Sequence, residues 1–478
     1  MAEQGFERVV GIIGAGAAGL CAARHVESVQ GWRPVVWEQS LDLGGTWRLS
    51  QDVGSDQRGF PVHSSLYTNL RTDLPAVLMA FPDFKFPEGE SFMHHTTVLK
   101  YLEDYACHFS LLTSIKFGHR VEEVSPAAAH DGQMSWRVTV RDLSTDLTHV
   151  TTCWALFICN GHFSEPNFPE IEGIEKYRGQ RLHSHDYREP SAFLDRRVMV
   201  LGAGASGLDI GLEIAKVADK VFLSHKFPIV IPSEFPNTLR QVRAVVTANE
   251  TGFVLTDGTH VEADVILYCT GYKYKFPFLT GECGIEVKDN LVHNLHKHII
   301  NIRYPTMGFI GLPSRVIVFP LVNYQVQYFL ATLRGEVTLP SLEEMTAIAH
   351  KTNHERREQG LSDKHYHTLS SDQFEYLEDL AREAGLKQPP LFMPQLLRIV
   401  LLRLFFSFPV FKSYSYDISG DGVIIETLRG RRIATHWDLF KLILTQFVRC
   451  LWRDFPRVVG FFVSHLMSKF TGFFRVSK

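Results

Sequence analysis

Six glycines of this chain stand where a backbone can come close to a phosphate. Gly14, Gly16 and Gly19 lie in VVGIIGAGAAGLCAARH, and Gly202, Gly204 and Gly207 repeat the spacing in RRVMVLGAGASGLDIGLEIA, with Ser206 inside the second turn. At a strand-to-helix junction this pattern has a defined physical use. The first glycine makes a tight turn, the second lets the backbone approach a pyrophosphate, and the third lets the helix pack closely on the strand. The helix N-terminus then offers unpaired N–H groups to the phosphates. The chemistry suited to these residues is dinucleotide binding, twice in one chain.

The elements that must position them are legible around each turn. RVVGII has the continuous apolar character of a strand buried on both faces, and AAGLCAARHVESV carries small and apolar residues at helical spacing. The next strand-like run, PVVWE, ends in Glu38, where a carboxylate accepts both hydroxyls of a ribose. In the second copy RRVMVL and LDIGLEIAKVA take these places, and KVFLSHKFP ends without an acid. Ser224, His225 and Lys226 stand there instead. A carboxylate repels a 2′-phosphate, whereas a hydroxyl and a cation accommodate it. The first turn therefore suits FAD and the second NADPH, the plainer alternative being that Lys226 is only a solvated cation. The expected fold is α/β, with two Rossmann-like dinucleotide-binding domains, the NADPH domain inserted into the FAD domain, and a helical C-terminal extension. The expected boundaries are 1–165 and 276–340 for the two parts of the FAD domain, 166–275 for the NADPH domain, and 341–478 for the C-terminal region.

Composition excludes several other classes. The 478 residues are 45% hydrophobic and 21% charged, ordinary for a folded enzyme, and the formal net charge of -3 gives no reason to expect nucleic acid as a partner. Seven cysteines form no Cys-x-x-Cys or Cys-x4-Cys pair, which argues against disulfide-reductase chemistry and for a reducing compartment. The first glycine turn begins so near Met1 that a removable leader is not expected. No HExxH or Cys/His cluster with ligand spacing occurs despite 22 histidines, so no metal site is expected.

Further motifs discriminate among flavoproteins. LGGTWRL follows Glu38; Gly44 and Gly45 let the backbone pass close to a ligand, and Trp47 can wall a flavin. YRGQRLHSHDY places Tyr177, Gly179, His183 and Tyr187 at a spacing that resembles the identifying motif of the flavin-containing monooxygenases, with Tyr in place of the leading Phe. YCTGYKYKFPFL resembles that family's segment of return to the FAD domain, around Thr270, Gly271 and Tyr272. The resemblance spans residues 8–340. It implies that NADPH reduces the flavin, that O2 adds to the reduced ring as a peroxyflavin, and that NADP remains bound while an amine nitrogen or sulfide of a small lipophilic substrate takes one oxygen atom. It also implies a cytoplasmic location or attachment to the cytoplasmic side of the endoplasmic reticulum membrane. Read without the resemblance, the stretch around Gly179 and His183 is a linker or hinge.

One departure stands out. In LYTNLRTDLPAVLMAF, which resembles the family stretch that supplies an active-site asparagine, the matching position is Asp73. An amide both donates and accepts, whereas an ionised aspartate only accepts and repels an anionic peroxide. Asp73 is thus the candidate catalytic residue, and it motivates a rival reading as an NADPH oxidase releasing hydrogen peroxide or a Baeyer-Villiger-type oxygenase of carbonyls. Alternatively it caps a loop. FIGLPSRVIVFPLVNYQVQYFLATLRG is expected to end in a helix from about Val322 with its N-terminus toward the flavin and Gln325 as a contact.

The C-terminal third carries a polar helical cap over 343–388 and an apolar run from Leu396 interrupted by Arg398 and Arg403. Phe440, Ile443, Leu444 and Phe447 then begin an apolar stripe that continues to Phe470, with Lys441, Arg449, Arg453 and Arg457 interleaved. That pattern fits interfacial helices on an anionic membrane, or helices packed on the protein itself or on a second copy in a homodimer. Outside enzymes, the rival reading is a nucleotide-binding membrane scaffold without turnover.

Overall fold

The computed structural model describes residues 8–128, 134–227 and 231–446. Two compact units emerge. The first takes the chain up to Asn167, His185–Glu189 and Gly271–Leu391, and the second takes Phe168–Ser184, Pro190–Thr270 and the chain from Phe392. The part of the second unit up to Thr270 is thus inserted into the first, the chain returns to the first for five residues within that insertion, and the remainder of the second unit follows the first.

Strand β1 (Arg8–Ile13) runs into α1 (Ala17–Glu27) and then β2 (Trp32–Glu38). The last four residues of β1 are buried, as expected of a strand covered on both faces. Parallel pairing joins β1 to β2 on one side and to β4 (Ala155–Ile158) on the other, with β3 (Ile115–Phe117) beyond β2. Trp136 anchors the core beneath them; its ring is fully buried and its indole N–H donates to Thr306 Oγ1 at 3.0 Å.

In the second unit the same plan recurs. β5 (Gln180–His183) is followed by β6 (Arg197–Leu201), α2 (Ala205–Ile214), β7 (Lys220–Ser224), β8 (Leu239–Val242) and β9 (Val265–Tyr268). They form a five-stranded sheet in the order β8-β7-β6-β9-β5, with every pairing parallel. An antiparallel meander over Val245–Ala248, Gly252–Leu255 and His260–Glu262 interrupts the plan between β8 and β9.

Back in the first unit, β10 (Leu295–His296), β11 (Ile300–Asn301) and β12 (Met307–Phe309) complete a seven-stranded sheet in the order β10-β11-β12-β4-β1-β2-β3. The helix α3 (Val318–Leu333) follows, beginning four residues before the Val322 expected from the sequence. Its start is held by a distant side chain, since Gln373 Oε1 accepts from Ile317 N at 2.8 Å. Helices α4 (Leu342–Glu358) and α5 (Gln373–Glu383) make the polar cap, and Lys297 ties α5 to the sheet through ion pairs with Asp379 and Glu383.

The stretch expected as one helical C-terminal region is divided between the units at Leu391/Phe392 and is not purely helical. After α6 (Phe392–Ser407) comes an antiparallel sheet of β13 (Tyr414–Ile418), β14 (Ile424–Leu428) and β15 (Arg431–Arg432). Arg403, which breaks the apolar run in the sequence, is fully buried. Its guanidinium forks onto Glu426 at 3.0 and 3.1 Å, reaches Asp438 at 2.8 Å and lies over the Tyr414 ring. A buried charge is tolerable when paired and hydrogen-bonded in this way.

Candidate dinucleotide sites

The two glycine turns are nearly the same object built twice. Gly14 and Gly202 have φ of 103° and 108°, a left-handed conformation that a side chain disfavours. Gly16 and Gly204 precede their helices with the same φ of -78° and ψ of -173° and -171°. A Cβ on Gly19 would overlap the carbonyl oxygen of Gly14, and one on Gly207 that of Gly202. No side chain caps either helix, so the first-turn N–H groups remain available to an anion.

Hydrogen bonds extend the match to the neighbouring strands. Gly14 N donates to Trp37 O at 2.8 Å and Gly202 N to Ser224 O at 2.9 Å. Glu38 and His225 are therefore register equivalents at the ribose position. Cys159 N donates to Ile13 O and Cys269 N to Leu201 O, at 3.0 and 2.9 Å, so a cysteine stands at the end of the flanking strand in both units.

At the first turn Glu38 is buried, and its two oxygens accept from Ala15 N and Ser40 N, each at 2.8 Å. Each oxygen keeps a second lone pair for a ribose hydroxyl. Gly44 N donates to Ala15 O at 3.0 Å, and a Cβ on Gly45 would stand 3.0 Å from the Gly16 Cα, so this loop lies directly across the turn. Trp47 packs edge-on against Phe319 with centroids 6.4 Å apart, and Phe319 stacks on Phe81 at 4.9 Å. The bare N-terminus of α1, the carboxylate and the glycine loop together fit an FAD.

A family model described as flavin-binding monooxygenase-like matches residues 7–233 and 229–466. The chain belongs to this family. Among the relatives of this monooxygenase, the flavin-containing monooxygenase FMO GS-OX4 of Arabidopsis thaliana is 38% identical over 404 residues, covering 79% of this chain and 84% of the relative. Senecionine N-oxygenase of Tyria jacobaeae is 33% identical over 387 residues, covering 79% and 83%. The solved structure of S-allyl-L-cysteine S-oxygenase from Allium sativum superposes with a TM-score of 0.79 at 31% identity, covering 85% of this chain and 94% of that one. FAD and NADPH are the cofactors of the monooxygenase, in agreement with the two turns.

Several expected contacts take other roles. Gln325 is fully buried; its Oε1 accepts from Gly311 N and its Nε2 donates to Tyr376 OH, both at 2.8 Å. With no accessible surface it holds the loop before α3 and is not positioned as a flavin contact. Ser224 is likewise fully buried, its Oγ donating to Arg243 O at 3.0 Å and accepting from Val245 N at 3.2 Å. Lys226 is exposed, and Ser206 is half-buried on the first turn of α2. Asp73 is half-buried in a first-unit loop pinned by Thr72, which accepts from Met93 N at 3.0 Å and donates to Leu74 O at 2.8 Å.

The Tyr177 to Tyr187 motif acquires a physical reading. Tyr177 folds back so that its hydroxyl donates to Ala263 O at 3.0 Å, and its ring then occupies the space where a Cβ on Gly179 would be. Gly179 is needed for this close contact, since its φ is not among the positive ones. His183 ends β5 buried against Phe168, at 5.2 Å between centroids, whereas Tyr187 belongs to the first unit and packs on Tyr67 at 5.4 Å. Gly271, with φ of 81°, follows Thr270 at the return to the first unit and accepts from Asn167 N at 2.9 Å.

Sequence reasoning missed His63 and Arg188. Burial pushes the His63 imidazole below its ordinary range while the nearby Glu38 pulls the other way, and its Nε2 lies 3.4 Å from where a Cβ on Gly161 would stand. Arg188 fastens the excursion 185–189 by donating to Ser50 O at 2.6 Å and Asp52 O at 2.8 Å. Neither stands in a recognisable spacing; only the fold brings them to these positions.

The duplicated geometry makes a paired prediction. Gly19→Ala pushes α1 off its turn, and the purified protein should lose most of its bound flavin. Gly207→Ala should keep the flavin yet lose reduction by NADPH at ordinary concentrations. The flavin-to-protein absorbance ratio and anaerobic bleaching by NADPH separate the two; flavin loss from both variants, or from neither, contradicts the assignment of one turn to each nucleotide.

Proposed function

We propose that the chain catalyses NADPH- and O2-dependent insertion of one oxygen atom into a soft nitrogen or sulfur nucleophile of a small lipophilic substrate. The observation that carries this reading is the pair of matching turns with different residues at the ribose position, Glu38 in one and His225 in the other. Bound FAD supplies the redox and oxygen-transfer chemistry; the protein's residues bind, orient and exclude water. Relatives named for N-oxygenation and S-oxygenation support a heteroatom as the site of attack. With NADPH and O2, an aryl methyl sulfide should yield sulfoxide and a tertiary aryl amine its N-oxide, seen by mass spectrometry. A cyclic ketone converted to lactone, with neither heteroatom substrate oxidised, would replace this reading with carbonyl oxygenation.

Asp73 sets the efficiency of that reaction in this proposal. An ionised carboxylate at that position disfavours negative charge nearby, so NADPH oxidation is expected to outrun product formation, the difference leaving as hydrogen peroxide. Asp73→Asn should raise the ratio of product formed to NADPH consumed by roughly two- to tenfold, on the scale of one lost charge–charge repulsion. An unchanged ratio removes Asp73 from the chemistry.

A membrane surface is the proposed partner of the C-terminal end, with the cytoplasmic face of the endoplasmic reticulum as the proposed location. No helix among the described residues is long and apolar enough to cross a membrane, so the contact would be interfacial. Support comes from the helical stretch 435–446, where Trp437, Phe440 and Leu444 are 61%, 54% and 49% exposed on one face and Lys441 lies over the Trp437 ring. The stripe from Phe447 onward lies outside the described residues. The full chain should float with vesicles containing anionic lipid, and Trp437→Ser with Phe440→Ser should reduce that fraction. Wild type left at the bottom of the gradient excludes the proposal.

A further inference from the structure

The last sheet of the second unit separates its charges. Asp417 and Asp421 lie toward the end of β14 that meets β13, where Ile418 N donates to Asp417 at 2.8 Å and Ser419 Oγ donates to Asp421. Arg429, Arg431 and Arg432 crowd the other end, and all three are exposed. Asp417 is paired with Ile425, three strand steps or roughly 10 Å from Leu428, where the arginine turn begins. Physiological salt screens exposed charges over about 8 Å, so these acids do little to neutralise the arginines. The two other acids between Phe392 and Gln446 are spent on Arg403. Glu426 takes its fork and also accepts from Tyr416 OH at 2.9 Å, and Asp438 meets it at 2.8 Å.

The turn that carries the arginines has a costly backbone. Leu428 pairs with Arg431, so only Arg429 and Gly430 connect the strands, and both have positive φ, 50° and 77°. Two-residue hairpin turns of this hand favour Asn, Asp or Gly, and a long side chain at the first position is held in a left-handed conformation that it disfavours. Arg431 and Arg432 alternate across the edge strand β15, yet both stay exposed. Three guanidiniums thus surround one hairpin tip, and among the described residues no carboxylate pairs with any of them.

An apolar face lies close by. Trp437 is five residues beyond Arg432, at most about 18 Å along an extended chain, and begins the exposed face that Phe440 and Leu444 continue. Arg403 locks the two features together, since Glu426 lies in β14 and Asp438 in the helical stretch 435–446. Cations beside exposed aromatic and aliphatic side chains match a bilayer surface, where charged headgroups border hydrocarbon. A soluble polyanion would use the cations and leave the apolar face in water.

We infer that the β14–β15 turn is a headgroup site for anionic lipid, with Arg429, Arg431 and Arg432 supplying the charge and Trp437 and Phe440 entering the interface beside it. The inference rests on the membrane reading of the C-terminal end and adds the residues that make that contact selective for lipid charge.

Flotation of the FAD-loaded full chain with vesicles of phosphatidylcholine, and with vesicles of phosphatidylcholine mixed with phosphatidylserine, tests it. Wild type should bind the mixed vesicles more tightly, and high salt should abolish the preference. Replacing all three arginines, R429Q with R431Q and R432Q, should weaken binding to the mixed vesicles by roughly 100-fold, about fivefold for each charge, and leave binding to phosphatidylcholine unchanged. The corresponding triple lysine variant should keep the preference, because it keeps the charge. Undiminished binding of the triple glutamine variant to the mixed vesicles, an equal loss from both kinds of vesicle, or a wild type indifferent to lipid charge overturns the inference while the membrane reading stands. Should the triple glutamine variant lose its flavin, R431Q alone decides: about a fivefold loss confined to the mixed vesicles supports the site, and no loss refutes it. Wild type that floats with neither kind of vesicle removes the membrane reading itself.

Discussion

Contact between a helix backbone and the carbonyl of the turn before it is the constraint on which the rest of this protein depends. At Gly14/Gly19 and at Gly202/Gly207 the approach leaves no room for a Cβ, so the helix lies directly on the strand end. Within its own unit, that closeness leaves the uncapped first turn of each helix open at the strand end, where phosphate is stabilised by open N–H groups and the helix dipole. The flanking strand takes part too. A Cβ on Gly14 would come within 2.6 Å of Cys159 O, and one on Gly202 within 2.5 Å of Cys269 O, so each turn is confined from two directions.

From that shared frame the two sites diverge through one residue at the end of the second strand. The two oxygens of buried Glu38 accept from the backbone N–H groups of Ala15 and Ser40, which fixes the side chain where it can meet ribose hydroxyls. At the equivalent position His225 is buried, which disfavours its protonated form, and its Nε2 contacts Gln241 Oε1 at 3.2 Å. The residue type at this position differs, an acid in one unit and a histidine in the other, while the backbone geometry hardly differs at all.

Polar side chains buried away from the turns do a different job. Gln325, Gln373 and Tyr376 each satisfy backbone or side-chain groups across long sequence separations, joining the α5 segment to the loops around α3. Once buried, an amide must use its donors and acceptors internally, because leaving them unpaired costs more than pairing gains. This is why Gln325, which a helix-terminus argument assigns to the flavin, ends up as a support for Gly311.

The strand-turn-helix units and the insertion of one dinucleotide domain into another were legible in the sequence, because each shows in residues close together in the chain. Glycine spacing and apolar runs report local backbone geometry directly. The start of α3, the sheet within the C-terminal region, the embrace of Arg403 by Glu426, and the contact of Tyr177 with Gly179 and Ala263 were decided by the tertiary structure. So was the direction of the Ser224 side chain. In β7 a hydroxyl and a cation at the strand end look equally ready to meet a phosphate; only the fold turns the hydroxyl inward to a carbonyl nineteen residues away. Side-chain direction at a strand end depends on what packs above it, and that information lies in residues remote in sequence.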